Sequence, residues 1–376
     1  MKPSEALSRC ATRRSRACCA ASSSAFSAAC LPALSRRACH GLPAGRAPDK
    51  GTCAVSLRQD MLLAARRGAA ALADPRAVAA FVGSQAAPEG GFRDRSGKCD
   101  LYYTVFGLQC LAALRIADCG LRIERTRRTE PARPVSTRSP PRDSPSSMRD
   151  AESYLGRFAD LCCLDLVHAA CLARCWAVAR PEGAPADLRR AFAQHIESFR
   201  AADGGYHAAA GAGAGSAYGA FLALGAYQDL GAAVPDPAAL ARSVRSLRTP
   251  DGGYTNERFL PLSSAPATAA CIVVLRELGE PAAPEAAARL LAWAHPSGGF
   301  LAMAAAPAPD LLSTATALHA LARAGVRPDE PLRAGCARFA AGLLGECGGF
   351  RGHADDPAAD CEYTFYGLLA LGHLAS

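Results

Sequence analysis

Five glycine doublets, each followed by an aromatic residue, constrain this chain more than any other feature: Gly90-Gly91-Phe92, Gly204-Gly205-Tyr206, Gly252-Gly253-Tyr254, Gly298-Gly299-Phe300 and Gly348-Gly349-Phe350. The first glycines of the last four lie 48, 46 and 50 residues apart, and the first two doublets are separated by 114, room for one more unit and an insertion. A period of this size belongs to stacked supersecondary units, none of which can bury its apolar face alone. The flanking text is shared as well. GGFRDRSGKCDLYYTVFGLQCLAAL opens the series, and GGFRGHADDPAADCEYTFYGLLALGHL closes it as a near copy.

Two kinds of helical pattern alternate around the doublets. Leu188 to Phe199, Leu240 to Leu247, Glu285 to Trp293 and Pro331 to Leu343 mix apolar and charged positions, as surface helices do. Ala217 to Leu230, Thr268 to Leu278, Leu312 to Ala324 and Tyr363 to Leu374 carry few charges, as helices buried on all sides do. Asp60 to Gln85 reads as the first outer helical stretch, with Pro75 suited to the first turn of its second segment, and Tyr102 to Ile116 as the first inner helix. Inner helices shielded by outer ones close most simply as a double ring, so the expected fold is all-α, an α/α toroid of five to six helical hairpins. In this scheme the doublet ends the outer helix, supplies a positive φ and seats the aromatic in the seam.

The formal charge of +8 invites a nucleic-acid reading, but its distribution argues against one. Residues 1–58 hold ten Lys or Arg against Glu5 and Asp49, and residues 121–150 hold eight Arg against four acids. That leaves 24 basic against 28 acidic residues on the repeats, so no basic face is expected there and no nucleic-acid partner. Residues 1–58 are rich in Ala, Ser, Arg and Cys without a period and read as a disordered tail; the same bias fits an organelle transit peptide. The toroid is expected over 59–376, interrupted by a disordered Arg/Pro/Ser-rich insertion at 121–150.

Of the 17 cysteines, Cys110, Cys271 and Cys336 fall inside apolar helical patterns and read as small buried hydrophobes in a reducing, cytoplasmic compartment. The uncharged run Ala208 to Gln228 is too rich in Gly and Ala to read as a membrane span. In the unit without a doublet, Ala151 to Arg180, the residues Asp165, His168, Cys171 and Cys175 share one helical stripe; they read as a metal face or as part of a cysteine-rich buried helix.

With GGF followed by D-x-x-Y-T-x-x-G-L-x-x-L in hand, the chain over about residues 60–376 resembles the β-subunits of protein prenyltransferases and, more loosely, the prenyltransferase and squalene-cyclase repeat superfamily. The resemblance implies a central funnel lined by aromatics that takes an isoprenoid diphosphate, a helical α-subunit as partner, and a zinc ion that makes the thiolate of an acceptor cysteine. Tyr102, Tyr103, Phe106, Tyr218, Phe221, Tyr363, Phe365 and Tyr366 are the expected funnel lining.

The zinc ligands of that family map to Asp310, Leu312 and Tyr363, so two of three are replaced, and the loop LAMAAAPAP that should hold the diphosphate has no charge. The supporting His position falls near Ser263 or Ser264. The opening unit keeps a related order, with Arg95 and Lys98 as candidate diphosphate ligands and Asp100 as a candidate metal ligand beside Asp310, Asp360 and Cys361. His353, Asp355, Asp356, Asp360, Cys361 and Glu362 crowd the closing unit, as a cation site or an acidic loop. Two functions therefore stand: isoprenoid binding with prenyl transfer to a protein thiol, and a non-catalytic lipid-binding or interaction scaffold. Type II terpene cyclisation fits poorly, because the Asp355-Asp356 pair lacks the acidic D-x-D-D context, and a thioester Cys-x-Glu-Gln motif is absent.

Overall fold

The computed structural model describes residues 55–126, 146–180 and 183–375, which belong to one compact unit, Lys50–Ser376. Among the described residues there are thirteen α-helices and one two-stranded antiparallel ribbon, β1 (Phe92–Arg93) with β2 (Cys99–Asp100). The expected tail lies almost wholly outside the described residues, as does most of the expected insertion. At the insertion's two ends α3 (Leu101–Thr126) continues past 121 and α4 (Ser146–Gly156) begins before 150.

Each inner helix starts at a polar cap, which is why the repeated Asp or Ser stands where it does. Asp165 opens α5 (Leu166–Ala179), Ser216 opens α7 (Ala217–Asp229), Ser264 opens α9 (Ala265–Glu277), Asp310 opens α11 (Leu311–Arg323) and Asp360 opens α13 (Cys361–Leu374). Each side chain accepts a backbone N–H three residues on, and Asp100 does the same for Tyr103 at the head of α3, 3.1 Å. The threonine of the signature ties helix to doublet. Oγ1 of Thr104, Thr268, Thr314 and Thr364 accepts the backbone N–H of Phe92, Tyr254, Phe300 and Phe350 at 2.9 to 3.1 Å. The first glycine of every doublet sits at φ between 86° and 98°, a conformation that a Cβ would strain.

The six inner helices α3, α5, α7, α9, α11 and α13 pack in that order, and α13 returns to α3 to close the ring. The shielding layer is α2 (Pro75–Ser84) on α3, α4 and α6 (Ala186–Glu197) on α5, α8 (Pro237–Arg245) and α10 (Pro284–Ala292) on α9, and α12 (Glu330–Gly342) on α13. This is the α/α toroid expected from the repeats, with six hairpins. Cys110, Cys271 and Cys336 are buried free thiols, and no helix among the described residues is long and apolar enough to cross a membrane.

One element departs from the sequence reading. Asp60 to Gln85 is not a single outer stretch: α1 (Leu57–Ala71) breaks at Leu72, and only α2 joins the outer ring. The buried face of α1, with Leu57, Met61, Ala64, Ala65 and Gly68, packs against α13, α3 and α7. Its polar residues reach the last turns of the inner helices. Arg58 Nε bonds Asp229 at the end of α7, 2.7 Å; Asp60 pairs with Arg323 at the end of α11, 3.4 Å; Arg67 Nε donates to Gly372 O in α13, 3.3 Å. The helix therefore covers the C-terminal end of the inner ring.

Candidate functional site

Counting from the cap of each inner helix identifies the lumen wall. The second and sixth positions are Tyr102 and Phe106, Val167 and Cys171, Tyr218 and Leu222, Pro266 and Ala270, Leu312 and Thr316, Glu362 and Tyr366. All but Phe106 and Cys171 retain exposure, as do Tyr103, His168, Phe221 and Tyr363 beside them, so this face of the inner helices looks into the ring. Tyr218 is the most open, at 43%. The wall is uneven, aromatic and acidic on α13, α3 and α7, small or aliphatic on α9 and α11.

Of the expected lining, Tyr102, Tyr103, Tyr218, Phe221, Tyr363 and Tyr366 are half-buried or exposed, and Phe106 closes the wall behind Tyr102, with ring centroids 5.1 Å apart. Phe365 needs correction. It is fully buried, one position off the lumen stripe, and packs behind Phe106 and Tyr366 with centroids 6.0 and 6.3 Å away.

Glu362, grouped in the sequence with its acidic neighbours, stands apart from them in the structure. It occupies the position in the closing unit that Tyr102 holds in the opening unit, and the two meet across the α13–α3 seam, where Tyr102 Oη donates to Glu362 Oε1, 2.6 Å. Burial pushes the Glu362 carboxyl up from 4.5 to about 7, with Asp360 adding to the rise while Tyr102 and Arg95 oppose it. The signal available in the sequence was an acid at an inner-helix position that is aromatic in two other units.

This shift sets a pH dependence. The folded chain holds the Glu362 proton more tightly than the unfolded chain, so the contribution to stability is complete below about pH 4.5 and is lost as pH rises through about 7. The amount at stake is on the order of 3 kcal/mol. Glu362→Gln is expected to flatten the stability profile between about pH 5 and about pH 8 in urea denaturation. A wild-type slope in that variant would place the effect elsewhere.

The candidate ligands lie about the N-terminal ends of the inner helices, the mouth of the ring opposite α1. Arg95 donates through Nε to Asp360, 2.6 Å, and through both terminal nitrogens to Asp356, 3.0 and 2.8 Å, with its guanidinium 5.3 Å over the Tyr363 ring. It bolts the opening unit to the closing one, a bidentate arrangement that occupies the planar fork. Lys98 is exposed, and its ammonium makes no ion pair among the described residues. Asp100, Asp310 and Asp360 each cap their own helix, and Cys361 is buried beside Cys110, its thiol pushed well up by burial and by Asp360.

On α5, His168 Nδ1 lies 2.8 Å from Asp165 and Nε2 lies 4.0 Å from Asp100; the Asp165 hydrogen bond holds the imidazole above the ordinary histidine range. Cys171 and Cys175 are buried below it. Among the described residues no group of three His, Cys, Asp or Glu side chains is disposed to hold a metal ion. The donors among the described residues do not assemble a zinc site.

Comparisons with known proteins agree with this architecture. The sequence profile of the prenyltransferase alpha-alpha toroid domain matches residues 24–136, 170–264 and 266–375. Among solved structures, the apo type II terpene cyclase MstE from Scytonema aligns with a TM-score of 0.50 at 14% identity, covering 84% of this chain and 98% of that one. A substituted form of the same cyclase, holding geranylgeranyl dihydroxybenzoate as substrate, aligns with a TM-score of 0.49 at 14% identity over 85% and 98%. No curated protein matches the sequence. With the profile spanning most of the chain and a closed ring of six inner helices beneath it, this chain belongs to the prenyltransferase alpha-alpha toroid domain family.

Proposed function

We propose that the ring binds an isoprenoid chain, with its apolar tail directed toward α1 and its polar end at the mouth. The observation that carries this reading is the lumen stripe itself, in which Tyr102, Tyr218 and Tyr366 keep exposed aromatic surface inside a ring closed at one end by α1. Rigid aromatic walls bury a flexible alkene chain at low entropic cost and bind it without a polar handle. The family and the terpene cyclase neighbour make prenyl compounds the first apolar ligands to test.

The finer reading is transfer of a farnesyl or geranylgeranyl group from its diphosphate to a protein thiol, with a helical α-subunit as partner. Lys98 is a cation at the mouth without an ion pair among the described residues and so open to a diphosphate, while Arg95 is committed to Asp356 and Asp360. The test is equilibrium binding of labelled farnesyl and geranylgeranyl diphosphates and of the corresponding alcohols to the full chain.

All four are expected to saturate, and Tyr218→Ala combined with Tyr366→Ala to weaken each by roughly tenfold or more. Lys98→Ala is expected to weaken the diphosphates alone. No saturable binding of any prenyl compound would leave the ring an interaction scaffold. Diphosphate binding without transfer to a cysteine peptide, with and without added zinc, would make it a carrier rather than a transferase.

A further inference from the structure

In two of the five doublet units the aromatic is tyrosine, and in those two alone the residue bridged to it is arginine: Arg200 with Tyr206 and Arg248 with Tyr254, against Ala86, Ala294 and Leu344 elsewhere. The shared frame is filled differently in the two. In the earlier one the Glu197 carboxylate sits at the centre, accepting from the Tyr206 hydroxyl, from the Tyr227 hydroxyl at 2.6 Å and from Arg200 Nε at 2.9 Å, while Arg200 Nη2 donates to the Tyr206 oxygen at 3.0 Å. Every polar group there has a partner.

The 48-residue repeat that relates Gly204 to Gly252 carries Glu197 onto Arg245, Arg200 onto Arg248, Tyr206 onto Tyr254 and Tyr227 onto Leu275. The central acid has become a base, and one phenol an aliphatic side chain. The result is a cavity of about 380 Å³ on the outer layer, lined by Arg245, Arg248, Tyr254, Leu275 and the 281–284 segment. The Tyr254 ring is buried, and its hydroxyl lines the cavity without a hydrogen bond to any described residue. Arg245 and Arg248 each commit one terminal nitrogen, Nη2, to a carboxylate, the half-buried Glu280 and the exposed Glu285, the second at 3.1 Å. Their side chains are each 45% exposed, so these pairs are weak ties that leave Nε and Nη1 of both guanidinia uncommitted.

We propose that this cavity is a binding site for an oxyanion, a carboxylate or phosphate on a short apolar body. Its anionic head takes the place that the Glu197 carboxylate holds in the neighbouring unit. The head accepts from the Tyr254 hydroxyl and from Arg245 and Arg248, and Leu275 with the 281–284 segment covers the apolar part. Three donors line one cavity, and an oxyanion there would exchange the solvent at the Tyr254 hydroxyl for a charge-assisted hydrogen bond shared with two guanidinium groups. The site lies between α8 and the last turns of α9, shares no residue with the lumen stripe and does not depend on what the lumen binds.

The experiment is isothermal titration of the full chain with hexanoate, hexyl phosphate and hexanol. At least one anion is expected to bind saturably, hexanol to bind more weakly and without response to Tyr254→Phe, and the stronger anion identifies the head group. Tyr254→Phe, which keeps the ring and its packing, is expected to weaken the anion by roughly tenfold. Arg245→Glu restores the carboxylate of the neighbouring unit and is expected to abolish anion binding while raising the thermal midpoint measured without anion. Absence of binding by both anions overturns the proposal, as does hexanol binding as tightly as the anions, or Arg245→Glu binding them like the wild type.

Discussion

Gly372→Leu is expected to release α1 from the ring and to lower the stability of the chain by about 3 to 5 kcal/mol. The two helices touch backbone to backbone. A Cβ on Gly372 would overlap the carbonyl oxygen of Ala64, and one on Gly68 would overlap that of Leu368, so neither position can take a side chain unless the helices separate. Separation exposes the apolar face of α1, where Leu57, Met61 and Leu62 are buried, and strips the floor from the lumen. Urea denaturation gives the loss in stability, and limited proteolysis within residues 57–71 reports release directly. Gly68→Leu should act alike, and the double variant should cost little more than either, since both break one contact. A Gly372→Leu chain with a wild-type midpoint and a protected α1 would show that the close approach is not what holds the helix.

Asp229→Ala is expected to cost about 3 to 5 kcal/mol by a different route. The Asp229 side chain, 1% exposed, accepts from Arg58 of α1 at 2.7 Å and from Arg174 of α5 at 2.9 Å. Removing it leaves two guanidinium groups facing each other in a partly buried site without an anion, the case in which breaking an ion pair is most damaging. Arg58→Met added to Asp229→Ala should return part of the loss, because one of the orphaned charges goes with it and a methionine still fills the groove. Thermal or urea midpoints of the four combinations give the coupling energy. If Asp229→Ala costs less than about 1 kcal/mol, the pair behaves as a surface bridge and α1 is held by apolar contact alone.

Much of the site could be located in the sequence, but its division of labour could not. The aromatic positions are visible because the copies align on their capping residue, and Tyr102, Tyr218 and Tyr366 keep exposure at the same two steps from that cap. Phe365 fails because a helix turns about 100° per residue, which carries a neighbour of a lumen residue into the packing layer. The repeated Asp looked like a ligand position, yet Asp100, Asp310 and Asp360 are all caps, a role equally compatible with one acid before an apolar run. Arg95 illustrates the opposite problem. Its partners Asp356 and Asp360 lie more than 250 residues away in the chain, and no local pattern announces a bond made by ring closure.

The sequence by itself determined the unit and its repetition. Doublet spacing, alternating charged and apolar helical runs, and polar caps are local rules of backbone conformation and burial, and they suffice for nested hairpins that must close on one another. Only the tertiary structure decided what happens where the opening and closing units of the ring meet. There α1 leaves the outer layer to floor the ring because Gly68 and Gly372 allow backbone-to-backbone contact, and Glu362 meets Tyr102 in a site dry enough to hold its proton near neutrality. Both outcomes depend on what surrounds a residue from distant segments, and burial by distant segments is not written in local periodicity.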